Sequence, residues 1–330
     1  MLFSDCLSMC SKNPASSDQN PAGSTYLCGM NAKQIAKLTG HNGSIYTIVQ
    51  GQEAHKVLTG AGDGWVIEWD LTNFETAKVV AKVETNIFSM AYLKNNNWVV
   101  VGNMFGGLHW VDLNAKTDLK NSQFHEKGVF DILELDNHIY TVGGKGKLAK
   151  WNIKTQSIVE SIQLSDQSLR SIDYDYFGKR FVVGSSDNSI YFLDNMLNIK
   201  HRIVSAHENS VFTAKFAENG TKLFSGSRDA HLKVWDLNDN FVNINSQPAH
   251  WFTINNIAFH PTKALLATAS RDKTIKIWNK NTYELLKVID VIKLGGHINS
   301  VNKLLWTNYN DWLISVSDDR TVMVWDISDQ

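Results

Sequence analysis

Apolar residues in this chain come in short runs of about four to six residues, separated by polar or glycine-bearing turns, and they alternate every second residue, not every third or fourth. Residues 40–71 show the arrangement. Ile45-Tyr46-Thr47-Ile48-Val49 is rich in β-branched and aromatic residues and predicts a strand. A polar turn at 50–56 leads to a second strand, Val57-Leu58-Thr59. Gly60-Ala61-Gly62-Asp63-Gly64 is turn chemistry, with glycines free to take positive φ. Residues 65–69 predict a third strand and residues 74–83 a fourth.

The unit then recurs roughly every 40 residues, which marks a repeated structural element. Its third strand closes seven times on an apolar residue followed by Asp or Asn: Trp69-Asp70, Val111-Asp112, Trp151-Asn152, Leu193-Asp194, Trp235-Asp236, Trp278-Asn279 and Trp325-Asp326. Trp110 is read as sharing this register in the second copy. The first strand recurs with aliphatic anchors at Ile45, Ile87, Val129, Leu169, Val211, Ile254 and Val301, each followed three residues on by an apolar partner. Residues of this kind pack sheet against sheet, each contributing about 1.5–3 kcal/mol when buried. The expectation is an all-β, seven-bladed β-propeller over residues 33–330, with four antiparallel strands per blade.

Four copies share a polar set at fixed offsets: His41, Thr59, Asp63 and Trp69; His207, Ser225, Asp229 and Trp235; His250, Thr268, Asp272 and Trp278; His297, Ser315, Asp319 and Trp325. A buried Asp needs hydrogen-bond partners, which an imidazole, a hydroxyl and an indole N–H can supply. Gly-His, then Ser-Arg-Asp or its variants, then Trp-Asp at this spacing resembles the WD-repeat β-propeller family over about residues 33–328. The resemblance implies a structural hydrogen-bond network inside each of these four blades. The third copy keeps His125, Thr141 and Trp151, with Lys145 where Asp is expected. The second has Val83 and Met104 at the His and Asp places, and the fourth has Ser165, Val183 and Leu193 and retains only Asp187. These three blades are expected to rely mainly on apolar packing.

Gln34 to Thr39 forms an orphan alternating strand ahead of the first unit, and the last unit ends at Trp325-Asp326 without a fourth strand. The economical closure has the orphan strand supply the outer edge of the last blade, which removes an exposed edge. Residues 1–32, polar and rich in Ser, Asn, Pro and Ala after Ser11, predict a disordered tail. Leu7-Ser8-Met9-Cys10 resembles a lipoprotein cleavage box, with Met9 a poor fit before the Cys; translation starting at Met30 is an alternative. Cys6, Cys10 and Cys28 all lie in that segment, so no disulfide framework holds the body, which suits a reducing, cytoplasmic setting.

Charge is balanced, 32 Lys and Arg against 33 Asp and Glu, with no basic stripe for nucleic acid and no apolar run long enough to span a membrane. The Ser/His/Asp sets recur in four units, which fits scaffold and not a catalytic triad. The histidines lack metal-ligand spacing, no cofactor motif is present, and Gly143-Gly144-Lys145-Gly146-Lys147 lacks the spacing of a phosphate loop.

The residue after each anchor is not claimed by packing: Tyr46, Phe88, Phe130, Arg170, Phe212, Asn255 and Asn302. By resemblance these lie at the channel mouth, with Gly62, Asn103, Gly144, Ser186, Arg228, Arg271 and Asp318 on the same face. Aromatics and Arg are enriched in binding hot spots. The function expected is a non-catalytic scaffold, a monomeric ring or a subunit of a complex, that docks a protein segment bearing acidic or aromatic residues through Tyr46, Phe88, Phe130, Arg170, Phe212, Arg228, Arg271 and Asp318. The alternatives are a subunit that contacts its partners through blades 2–4, and an enzyme with a channel site.

Overall fold

The computed structural model describes residues 30–217 and 219–329. It is an all-β ring of seven sheets, each of four antiparallel strands. We call the strands a to d from the channel outward. In blade 1 they are Ile45–Gln50, Lys56–Ala61, Trp65–Asp70 and Asn73–Lys82. Blades 2 to 6 occupy residues 87–123, 129–163, 169–203, 211–248 and 254–289. The a strands pack on one another around the axis, and that of blade 7 touches those of blades 6 and 1. The d strands are largely exposed.

The core lies between neighbouring blades. All seven anchors are completely buried, and their partners three residues on are buried as well. Ile45, Ile48 and Trp69 of blade 1, for instance, pack on Leu38, Val316, Val322 and Val324 of blade 7. No sheet can bury both faces alone, so the ring is the unit of stability.

Closure occurs as expected. Met30–Thr39 pairs antiparallel with Thr321–Asp329, completing blade 7. The strand starts earlier than Gln34, and residues 30–32 belong to it, not to the tail. The reason is that Thr321–Asp329 runs past Asp326 and offers a partner as far as Met30, while Met30 and Ala32 turn inward onto Trp325 and Ile327. The remaining tail readings, including Cys10 and the other cysteines, fall on residues 1–29, outside those described. One four-residue helix, Val291–Leu294, sits between blades 6 and 7, capped by Asp290, whose carboxylate accepts the Ile292 and Lys293 N–H groups.

Candidate functional site

The polar sets form one hydrogen-bonded relay per blade. Trp69 Nε1 donates to Thr59 Oγ1 at 2.7 Å. An indole N–H only donates, so the hydroxyl must accept it and pass its own proton to His41 Nε2, 2.8 Å away. His41 Nδ1 then donates to Asp63, at 3.0 Å. Asp63 also accepts the N–H groups of Asn42 and Trp65, which pins two loops together. The relay repeats with Trp235–Ser225–His207–Asp229, Trp278–Thr268–His250–Asp272 and Trp325–Ser315–His297–Asp319. Burial lowers the pKa of His41, His207 and His250 despite the carboxylates beside them. Burial opposes ionisation of Asp63 too, but the Trp65 N–H and His41 outweigh it and lower its pKa. The His41, His207 and His250 pairs are therefore neutral imidazole against carboxylate, with both side chains largely buried.

The other three blades pack through buried apolar clusters and add partial or substitute polar contacts. In blade 3, Trp151 and His125 meet on Thr141, but His125 Nδ1 is buried without a partner among the described residues, since Lys145 replaces the Asp and points outward. In blade 4, Asp187 gathers a substitute cluster: Tyr191 Oη at 2.5 Å, Ser165 Oγ at 2.9 Å and Arg202 Nη2 at 3.0 Å. In blade 2 the register is one residue from that expected. Met104 donates its N–H to Asn86 O as Gly62 does to Ser44 O, so Phe105 holds the Asp place and Met104 the mouth position assigned to Asn103. Asn103 is buried, and its Oδ1 accepts the Phe105 and Gly107 N–H groups in place of the missing carboxylate. Trp110 is also displaced. It pairs with Val100 while Val111 pairs with Val99, so Trp110 faces blade 3, and its indole nitrogen is buried without a partner among the described residues.

The mouth ring has a backbone cause. In every blade the a–b pairing skips between the anchor and the residue two beyond it, as between Ile45 and Thr47 or Leu169 and Ser171. The skipped residue is the bulged one, and a bulge re-aims its side chain. Tyr46, Phe88, Phe130, Arg170, Phe212, Asn255 and Asn302 thus converge, with Lys303, on one cavity of about 300 Å³. Tyr46 meets Phe88 edge-on at 5.2 Å, and Phe88 stacks on Phe130 at 6.0 Å. The Arg170 guanidinium lies 4.4 Å from the Phe130 ring and 5.0 Å from that of Phe212. Across the mouth the side chains are used as stitches: Asn255 Nδ2 donates to Val301 O, and Asn302 Nδ2 donates to Ile45 O and to Asp318.

The cavity is a cup. Lys303 Nζ sits 3.1 Å from Asp131 and Lys215 Nζ 2.9 Å from Asp173, and these pairs cross-brace the channel lining. Burial opposes the charge on Lys215, but Asp173 and Asp131 outweigh it and raise its pKa. Arg228 and Arg271 are exposed on the loops above, and Asp318 is half-buried. The sequence reading missed the apolar residues of this face. Trp251 is 86 % exposed, with Phe252 and Ile298 also largely exposed, because the N–H groups of Trp251 and Ile298 are tied down on Asp272 and Asp319. The signal was present, since Trp251 follows His250 directly and has no place in the repeat. Among the described residues no group of His, Cys, Asp and Glu is placed to hold a metal, and no helix is long and apolar enough to cross a membrane.

A seven-sheet ring held by these relays defines a class, and comparison with known proteins identifies it. The family model of the WD domain, G-beta repeat, matches residues 32–70, 199–236, 241–279 and 289–326, which contain the four complete relays. The chain belongs to the WD-repeat family of seven-bladed β-propellers, whose members are typically interaction scaffolds. It is 30% identical over 207 residues to the nuclear distribution protein PAC1 of Arthroderma benhamiae, a match that covers 59% of this chain and 44% of that protein. The chain therefore spans less than half the length of that relative. The guanine nucleotide-binding protein subunit beta-5b of Danio rerio is 23% identical over 299 residues, 87% of this chain and 74% of the relative. The crystal structure of the WD40 beta propeller domain of Doa1 matches with a TM-score of 0.79 at 18% identity, covering 90% of this chain and 97% of that one. At that identity the likeness speaks for the fold.

Proposed function

We propose that this protein is a non-catalytic scaffold that docks a protein segment on the face around the cup. The observation that supports it best is the cup itself. Seven bulges aim four aromatic rings and an arginine at one concave mouth, where packing alone would have used aliphatic residues. Aromatics and Arg around a half-closed pocket are the make-up of an interaction hot spot. Exposed Trp251, Phe252, Arg228 and Arg271 extend the surface. Catalysis has little support, because Asp318 is the one carboxylate at the mouth positions and Asp131 below is already paired with Lys303. The relatives named above are not named as enzymes. We place the scaffold in the cytoplasm, in keeping with a propeller body free of cysteine, and assign it no nucleic-acid partner.

The test is affinity purification of the wild type beside a Phe88→Ala/Phe130→Ala variant. Partners lost by the variant support the docking face; full retention rejects it. A second reading has one observation in its favour. Tyr176, Phe177 and Met196 are exposed on the opposite face of blade 4, at the a–b and c–d turns. Partners kept by the first variant but lost by Tyr176→Ser/Phe177→Ser would transfer the function to that side.

A further inference from the structure

We propose that Arg170 is the receptor for a single carboxylate, supplied by an Asp or Glu side chain of the docked segment that enters the cup. The inference rests on the docking reading and adds what the segment must carry. Arg170 has five N–H donors. Its Nε donates to Ser186 Oγ at 2.7 Å. Among the described residues the terminal nitrogens have no acceptor, and no carboxylate stands within ion-pair distance of the guanidinium. Burial, and then the charge of Arg228, weigh against the cation and lower its pKa.

Phe130 and Phe212 flank the guanidinium, and this contact leaves its edge as the interacting surface. A planar fork presented edge-on matches a carboxylate with two parallel hydrogen bonds. Charge balance favours one negative charge. Lys303 is matched by Asp131 and Lys215 by Asp173, which leaves Arg170 as the unmatched cation lining the cup. Asp318 belongs to blade 7, three blades round the ring, and is engaged by Asn302. A phosphate dianion would need a second cation, and Arg228, exposed on the loop above, does not line the cup. The cup, about 300 Å³, admits side chains but no folded element.

The experiment uses pools of short random peptides with Glu, Gln or phosphoserine fixed at the centre, binding to the full chain. The wild type is expected to retain the Glu pool roughly tenfold better than the Gln pool. Arg170→Gln should abolish that preference while still retaining peptides through the aromatic rings, and Arg170→Lys should keep part of it. Thermal melts check that the variants fold, and Arg170→Lys decides if Arg170→Gln does not. Equal retention of the Glu and Gln pools by the wild type overturns the carboxylate assignment and leaves docking intact. A stronger preference for phosphoserine, or a Glu preference that survives in Arg170→Gln, overturns it too. No retention of any pool removes the docking reading as well.

Discussion

Lys303 of blade 7 and Asp131 of blade 3 meet across the central channel at 3.1 Å. Each stands one residue past the bulge of its a strand, so the device that lifts the mouth ring also sets these two side chains below it. The other Asp131 oxygen accepts the Ile172 N–H, which links a third blade. Asp131→Asn and Lys303→Met should each lower unfolding free energy in urea by about 1–2 kcal/mol, less than for a fully buried pair because water reaches the lysine. A double-mutant cycle should return a coupling of about 1 kcal/mol; additive effects would show that the cross-channel pair contributes nothing.

The unpartnered Nδ1 of His125 makes blade 3 sensitive to acid. Burial, and then the Lys147 charge, push its pKa down to about 4. The unfolded chain binds the proton near 6.5, so between these values the unfolded state holds more protons and stability falls as pH falls. The loss begins below about pH 6.5 and reaches on the order of 3 kcal/mol by pH 4. Lys145→Asp should give Nδ1 its missing partner, raise the His125 pKa in an NMR titration and raise the melting temperature. A titration curve unchanged by the substitution would refute this account.

Thr59 sits at the centre of the blade 1 relay, accepting from Trp69 and donating to His41. Thr59→Val keeps the shape but strands two buried polar groups, at a cost of about 2–3 kcal/mol. The same change on an exposed threonine such as Thr155 should cost under about 0.5 kcal/mol, and thermal melts of both variants provide the comparison.

Deleting Met30–Thr39 removes the outer strand of blade 7 and opens the edge of Thr321–Asp329 along its length. The deletion should lower the melting temperature by more than roughly 10 °C and promote association through the bared edge. A soluble monomer of unchanged melting temperature would show that closure is dispensable.

Much of this was readable in the residues. Ring, strand count, closure and the four relays followed from a period, an alternation and fixed offsets. The mouth residues were found because Tyr46, Phe88 and their equivalents broke the packing rule, although the bulge behind them left no mark on residue type. Reading failed where one residue decides a face. In blade 2, Asn103 substitutes for an Asp from a different register position and Trp110 stands beside the expected Trp place, so counting spacings misassigned both. The Asp187 cluster was hidden because Tyr191 and Arg202 reach it from strands whose pairing no local motif announces. Whether the cup binds a carboxylate depends on how Arg170 is held between two rings from neighbouring blades, a geometry that exists only once the ring has closed.

The seam in blade 7 also sets an order of events. Its outer strand emerges first from the ribosome and its three inner strands last, so Met30–Thr39 must wait, unpaired, while six other blades are made. Until then each growing intermediate carries two open rims, and the circle is sealed only after synthesis has passed Asp329. A chain interrupted in its last blade would thus forfeit the whole circle, not one seventh of it.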